Sequence, residues 1–79
     1  MEIKILGSGC ANCKKLEANT KEAVNTIGIA ADIIKVEDIK EIMKYGVMRT
    51  PAIVINGKVK AFGKVLSSDQ IIKLIEDEK

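Results

Sequence analysis

The sequence predicts an α/β fold in which a four-stranded mixed sheet is flanked by three helices in the order β-α-β-α-β-β-α. Three observations carry that prediction. Glu2–Leu6 alternates polar and apolar residues, the period of a strand with one buried face, and leads through Gly7-Ser8-Gly9 into a long run of helix formers. Asn56-Gly57 stands between two strand-like runs, the strongest short hairpin signal. Ser67 with Gln70 marks the start of a last helix. No repeat, low-complexity segment or linker interrupts the order, and 79 residues leave room for one domain, spanning 1–79.

Each element has its own justification. The first helix runs from Asn12 to Ile27, with Leu16, Thr20, Ala23, Val24 and Ile27 on one face and Gly28 as its C-terminal stop. Ala31–Val36 is a short apolar run bounded by Gly28 and Glu37-Asp38, and its Ile33-Ile34 centre suits a buried strand. Together with the first strand it forms a β-α-β unit, whose right-handed crossover makes the two strands parallel. Asp38 caps a second helix, with Glu41 three residues on in a capping-box-like relation and Ile39, Ile42 and Met43 as the apolar face up to Gly46. Pro51 forbids helix around Thr50. Ala52–Ile55 and Lys58–Phe62 are then the arms of the hairpin, completing the mixed sheet. In the last helix Leu66 and Ile71 make a hydrophobic staple, and Ile71, Ile72, Leu74 and Ile75 face the core.

Composition narrows the function classes. Hydrophobic residues make up 47% of the chain and charged residues 30%, a globular balance without the low hydrophobicity of disorder. With no Trp, one Tyr and one Phe, stacking on bases is not expected, and a net charge of +2 spread among acidic residues lacks the one-sided stripe of a nucleic-acid binder. No apolar run reaches bilayer-spanning length and the N-terminus lacks the pattern of a signal peptide, so the expected location is the cytoplasm, without membrane association.

The chemistry-bearing feature is Cys10-Ala11-Asn12-Cys13. A disulfide across so small a loop is a poor structural staple, so the pair reads as redox or metal chemistry. Thiol–disulfide exchange needs a thiolate, and the start of a helix supplies unpaired N–H groups and the positive end of the dipole, with Lys14 and Lys15 adding field nearby. Cys10 is therefore the candidate nucleophile. Cys13, about one turn on and deeper in the helix, is the candidate resolving thiol.

With Thr50-Pro51 before the third strand, the cysteine motif resembles the thioredoxin and glutaredoxin superfamily over nearly the whole chain. The stretches Gly7-Ser8-Gly9-Cys10-Ala11-Asn12-Cys13, Met43-Lys44-Tyr45-Gly46-Val47 and Thr50-Pro51-Ala52 are most similar to the small archaeal and bacterial thioredoxin-like redox-active disulfide proteins. The resemblance implies a thioredoxin-like fold and a thiol–disulfide oxidoreductase without organic cofactor or metal. It also implies a cis peptide bond before Pro51, with the proline against the cysteine sulfurs. Thr50, Pro51, Arg49 and Asn12 are the implied supporting residues. For Arg49, thiolate stabilisation or recruitment of an anionic substrate stands beside the alternative of a solvated loop arginine. The implied partners are a protein or small-molecule disulfide substrate and a thioredoxin-reductase-type or other dithiol reductant, with the chain itself a monomer.

Departures from the resembling proteins are specific. Thioredoxin has Trp before the first cysteine and Gly-Pro between the two, where this chain has Gly9 and Ala11-Asn12. Thioredoxin's buried carboxylate six residues before the first cysteine is matched here by Lys4, expected to face solvent. The Pro-Tyr of glutaredoxins is also missing. Met43 and Met48 read as packing residues rather than soft metal ligands, and Gly63 as a turn glycine. The alternative reading is a copper-type soft-metal carrier of ferredoxin-like fold using the same cysteine pair. Such carriers have Met where this chain has Ser8, and do not end on a helix. Structural zinc would be two ligands short in a monomer.

Overall fold

Every residue of the third strand is buried in the computed structural model, which describes Met1–Glu78. That strand is central because it pairs on both sides. The sheet order is β2-β1-β3-β4, with β1 (Glu2–Leu6) parallel to β2 (Asp32–Val36) and antiparallel to β3 (Ala52–Ile55), which pairs antiparallel with β4 (Lys58–Phe62). Helices α1 (Ala11–Ile27), α2 (Ile39–Lys44) and α3 (Ser68–Asp77) complete the expected order, so the fold is the thioredoxin-like β-α-β-α-β-β-α arrangement. The chain does not have the ferredoxin-like order required by the metal-carrier alternative, since α3 follows the last strand.

Local chemistry accounts for the element ends. Gly28 takes the left-handed conformation (φ 65°) that closes α1, its N–H donating to the Val24 carbonyl at 3.0 Å. Asn56 and Gly57 have φ of 51° and 82°, the paired positive angles of a type I′ hairpin turn. At α3 the capping box is complete. Ser67 Oγ accepts from the Gln70 N–H, and Gln70 Oε1 accepts from the Ser67 N–H. At α2 only half of the expected box forms. Asp38 accepts from the Lys40 N–H at 2.9 Å, while Glu41 pairs with Lys44 instead of reaching back.

Two cores lie on opposite faces of the sheet. On one, Ile3, Ile5, Ile53 and Ile55 meet Leu16 and Ala23 of α1 and Ile71 and Ile75 of α3, with Leu66 below. Thr20, the buried polar residue of this face, donates to the Leu16 carbonyl at 2.7 Å, so its hydroxyl is satisfied. On the other face, Leu6, Ala52 and Val54 meet Ile42 and Val47 in a smaller cluster.

The second face departs from the sequence reading. Ile39 and Met43 are 66% and 67% exposed, so of the expected apolar face of α2 only Ile42 is buried, and Met48 is 93% exposed instead of packed. Six residues make fewer than two turns, too short to turn three apolar side chains onto a sheet. Strand β2 is an edge strand rather than a buried one, with Ile34 exposed on the side that α2 leaves uncovered. Lys4, paired with Ile34 and Val54 on this face, is half-buried, and its Nζ donates to Tyr45 Oη at 2.8 Å. That hydrogen bond, with Glu2 Oε1 3.5 Å away, holds the Lys4 ammonium above the usual lysine range.

Candidate functional site

The loop Gly7-Ser8-Gly9 carries the chain from the end of β1 to the start of α1, and the cysteine pair sits at that junction. Cys10 is the N-cap residue of α1, with extended backbone (φ −68°, ψ 166°), and its sulfur accepts from the Cys13 N–H at 3.2 Å. A helix begins with N–H groups that lack intrahelical partners, and here one of them points at Cys10 Sγ. In the dithiol form the same N–H faces a thiolate, where a charged acceptor makes the bond stronger.

Cys10 and Cys13 are joined as a disulfide, and the two halves have different surroundings. Cys10 is exposed, whereas Cys13 is 5% exposed and shares the helix face of Leu16, Thr20 and Ala23. The turn-wise spacing that buries those residues also buries Cys13.

Gly7 makes this burial possible. A Cβ on Gly7 would overlap the Cys13 sulfur and lie 3.2 Å from Cys13 Cβ, so any side chain there would displace the resolving position. In the sequence Gly7 reads as the first residue of the loop Gly7-Ser8-Gly9, where glycine suggests flexibility. It is instead buried and fixed, its N–H donating to the Val36 carbonyl at 2.9 Å. The signal in the sequence is its place directly after a strand, where a glycine allows close approach as readily as it allows a turn.

The peptide bond between Thr50 and Pro51 is cis, as the resemblance implies. Pro51 is buried, and its carbonyl accepts from the Gly63 N–H at 2.9 Å, which ties the segment before β3 to the end of β4. Thr50 is exposed beside the cysteine loop, its Cβ 3.8 Å from the position of a Gly7 Cβ. Arg49 is exposed, and its side chain lies over Gly63, where an added Cβ would stand 3.2 Å from Arg49 Cβ and Cδ. Gly63 (φ 73°) is thus both a turn glycine and the floor beneath Arg49. Asn12 is exposed in the first turn of α1.

Two depressions border the cysteine loop. On the α2 side a groove of about 240 Å³ is lined by Ser8, Thr50 and the apolar residues Ile39, Ile42, Met43, Val47 and Met48. On the α1 side a cleft of about 150 Å³ reaches Cys13 and is lined by Ile5, Gly7, Gly9, Lys14, Glu17, Lys35 and Glu37. Glu17 lies between Lys21 Nζ at 3.4 Å and Lys35 Nζ at 3.7 Å. Sequence reasoning misses this cleft because its members come from separate elements. Lys35 reaches α1 because it pairs with Ile5, and paired residues share a face of the sheet.

Comparison with known proteins agrees with the geometry. Residues 1–76 match the family described as Thioredoxin domain. The chain is 39% identical over 75 residues to a thioredoxin of Methanothermobacter thermautotrophicus, covering 95% of this chain and 97% of that protein. To a thioredoxin of Methanocaldococcus jannaschii it is 38% identical over 69 residues, covering 87% and 79% of the two chains. Among solved structures, a thioredoxin-2 described as a component of the malaria parasite protein secretion machinery superposes with a TM-score of 0.71 at 19% identity, over 96% of this chain and 81% of that one. A second structure, described as a malarial protein, gives the same TM-score and identity over 96% and 93%. At that identity the structural likeness speaks to fold.

Proposed function

The chain belongs to the thioredoxin domain family and is a thiol–disulfide oxidoreductase, and within that chemistry we propose that Cys10 attacks the substrate disulfide and Cys13 resolves the mixed disulfide. Thioredoxins act on disulfide substrates together with reductase partners, and the exchange needs one accessible thiolate and one nearby thiol. The observation that carries the assignment is the asymmetry of the pair. Cys10 is an exposed residue whose sulfur receives a helix N-terminal hydrogen bond, while Cys13 is 5% exposed one turn further on. Attack by a bulky disulfide is possible at the first and obstructed at the second.

Asn12, Arg49, Thr50 and Pro51 are assigned to the surface that receives the substrate. The exposure of Asn12, Arg49 and Thr50 and the closeness of Thr50 to the Gly7 and Cys13 junction support this. The working unit we propose is a single domain over 1–79, acting as a cytoplasmic monomer, apart from membranes and nucleic acid, and recharged by a thioredoxin-reductase-type or other dithiol reductant. Among the described residues no helix is long and apolar enough to cross a membrane.

Limiting alkylation of the reduced protein at neutral pH, followed by mass mapping, tests the assignment. Cys10 is labelled first. Labelling of Cys13 first would reverse the roles. On the same preparation, a disulfide substrate and a dithiol reductant turn over well above the rate of the reductant alone, an outcome that a metal carrier would not give.

A further inference from the structure

The resolving step raises a chemical requirement that the cysteine pair does not meet by itself. Before Cys13 attacks, its thiol must lose a proton, and Cys13 is a residue only 5% exposed. The residue six before the first cysteine, where the resembling proteins hold a buried carboxylate, is here Lys4. Its ammonium is bonded to Tyr45 on the α2 face and carries no acceptor for a proton. The acceptor must come from elsewhere.

We propose that Glu17 is the proton acceptor for Cys13, working through the cleft on the α1 side of the disulfide, an assignment that rests on the roles given above to the two cysteines. Three observations converge on it. Glu17 follows Cys13 by four residues in α1, so the two side chains are neighbours on one helix face. Both line the same cleft, whose volume of about 150 Å³ is ample for water to carry a proton between them and out to solvent. The Glu17 side chain is 16% exposed at the cleft wall, with Lys21 Nζ at 3.4 Å and Lys35 Nζ at 3.7 Å from its carboxylate. The other charged groups facing the cleft are Lys14 from α1 and Glu37 from the segment after β2. Glu37 is exposed, comes from a different element from Cys13 and lies beside the loop, its Oε2 3.8 Å from the position of a Gly9 Cβ, so it is the carboxylate against which Glu17 is compared.

The steps balance. The Cys10 thiolate attacks one sulfur of the substrate disulfide, and the other substrate sulfur leaves with the electron pair of the broken bond. The Cys13 thiol passes its proton to the Glu17 carboxylate and its sulfur attacks Cys10 Sγ. The Cys10–Cys13 bond forms as the bond from Cys10 to substrate breaks, and the second substrate sulfur leaves as a thiolate. Glu17 returns its proton to water through the cleft, and the departing thiolates are protonated from solvent. The cysteines lose two electrons and the substrate disulfide gains them.

Stopped-flow reduction of 5,5′-dithiobis(2-nitrobenzoate) by the reduced protein separates the steps, because one coloured thiolate is released on attack and a second on resolution. Glu17→Gln is expected to leave the first release within about twofold of wild type and to slow the second at least about tenfold at pH 7, at the low end of general-base effects. The gap closes above about pH 10, where thiols ionise unaided. Glu17→Asp, which keeps the charge but withdraws the acceptor by one methylene, slows the second release by about threefold, less than the Gln variant. Glu37→Gln stays within about twofold. An unchanged second release in Glu17→Gln, a slowing equal at every pH, or a larger effect of Glu37→Gln overturns the proposal. Should Glu17→Gln not fold, an unchanged second release in Glu17→Asp overturns it equally. Failure of the cysteine roles has a separate signature. The first release would then be lost in Cys13→Ser and kept in Cys10→Ser, whatever stands at position 17.

Discussion

The two faces of the sheet use the same kinds of apolar residue to different effect. On the α1 and α3 face, Leu16, Ala23, Ile71 and Ile75 are at most 1% exposed, and the cluster they form with Ile3, Ile5, Ile53 and Ile55 encloses one side of the sheet. On the α2 face a helix of six residues buries Ile42 and leaves Ile39 and Met43 more than half exposed. Hydrophobic periodicity says which residues of a helix share a side, and helix length decides whether that side meets a partner. Helix α1 also carries the chemistry, since Cys13 is held by the same face of it that makes the main core, whereas the groove beside α2 stays open next to Ser8 and Thr50.

The largest expected difference between the faces lies in their stability. Leu16→Ala removes a fully buried side chain and is expected to cost about 3 kcal/mol, while Met43→Ala changes stability by less than about 0.5 kcal/mol. Urea denaturation of both variants measures this, and similar losses would mean that α2 packs as firmly as α1.

Helix starts offer a smaller test of the same contrast. Ser67→Ala breaks a complete capping box on the long-helix face and should cost about 1 kcal/mol, measured by the same unfolding curves. Asp38→Ala removes a cap that accepts from the Lys40 N–H at the start of a short, half-covered helix, and its effect should be smaller, nearer about 0.5 kcal/mol. An Asp38 variant as damaging as the Ser67 variant would show that α2 is held by more than Ile42.

The smallest effect is a pH dependence at the end of α3. The Lys60 ammonium hydrogen-bonded to Glu78, with Lys58 Nζ at 3.6 Å, holds the Glu78 carboxyl below the usual carboxylate range. A carboxyl lowered in the folded state stabilises the fold above its ordinary value of 4.5, and that contribution fades as pH falls through the lowered one. Acid titration of stability should therefore be shallower in Glu78→Gln than in wild type. Identical acid limbs would place the pairing outside the folding balance.

What was legible in the sequence follows the same division. The order of elements, the Gly28 stop, the Asn56-Gly57 turn and the Ser67 capping box are each set by a few adjacent residues, and each is found where its local chemistry puts it. The pairing of Cys10 with Cys13 and the cis bond before Pro51 were legible because motif and resemblance mark them. The exposure of Met43, Met48 and Ile34 was not, because it depends on how much of the sheet a short helix can cover. Nor was the cleft at Cys13, since strand register brings Lys35 to Glu17 and a close approach, invisible in sequence, makes Gly7 indispensable to Cys13.

The central claim is that the exposed and buried halves of one disulfide have separate chemical roles, and trapping of the mixed disulfide tests it most directly. Cys13→Ser and Cys10→Ser are incubated with a disulfide substrate and resolved on non-reducing gels. Cys13→Ser keeps the accessible thiolate at the helix start and loses the resolver, so it accumulates covalent adducts that a reductant releases, while Cys10→Ser accumulates few or none. Equal trapping by the two variants would contradict the account, because neither thiol would then be privileged by its place in the fold.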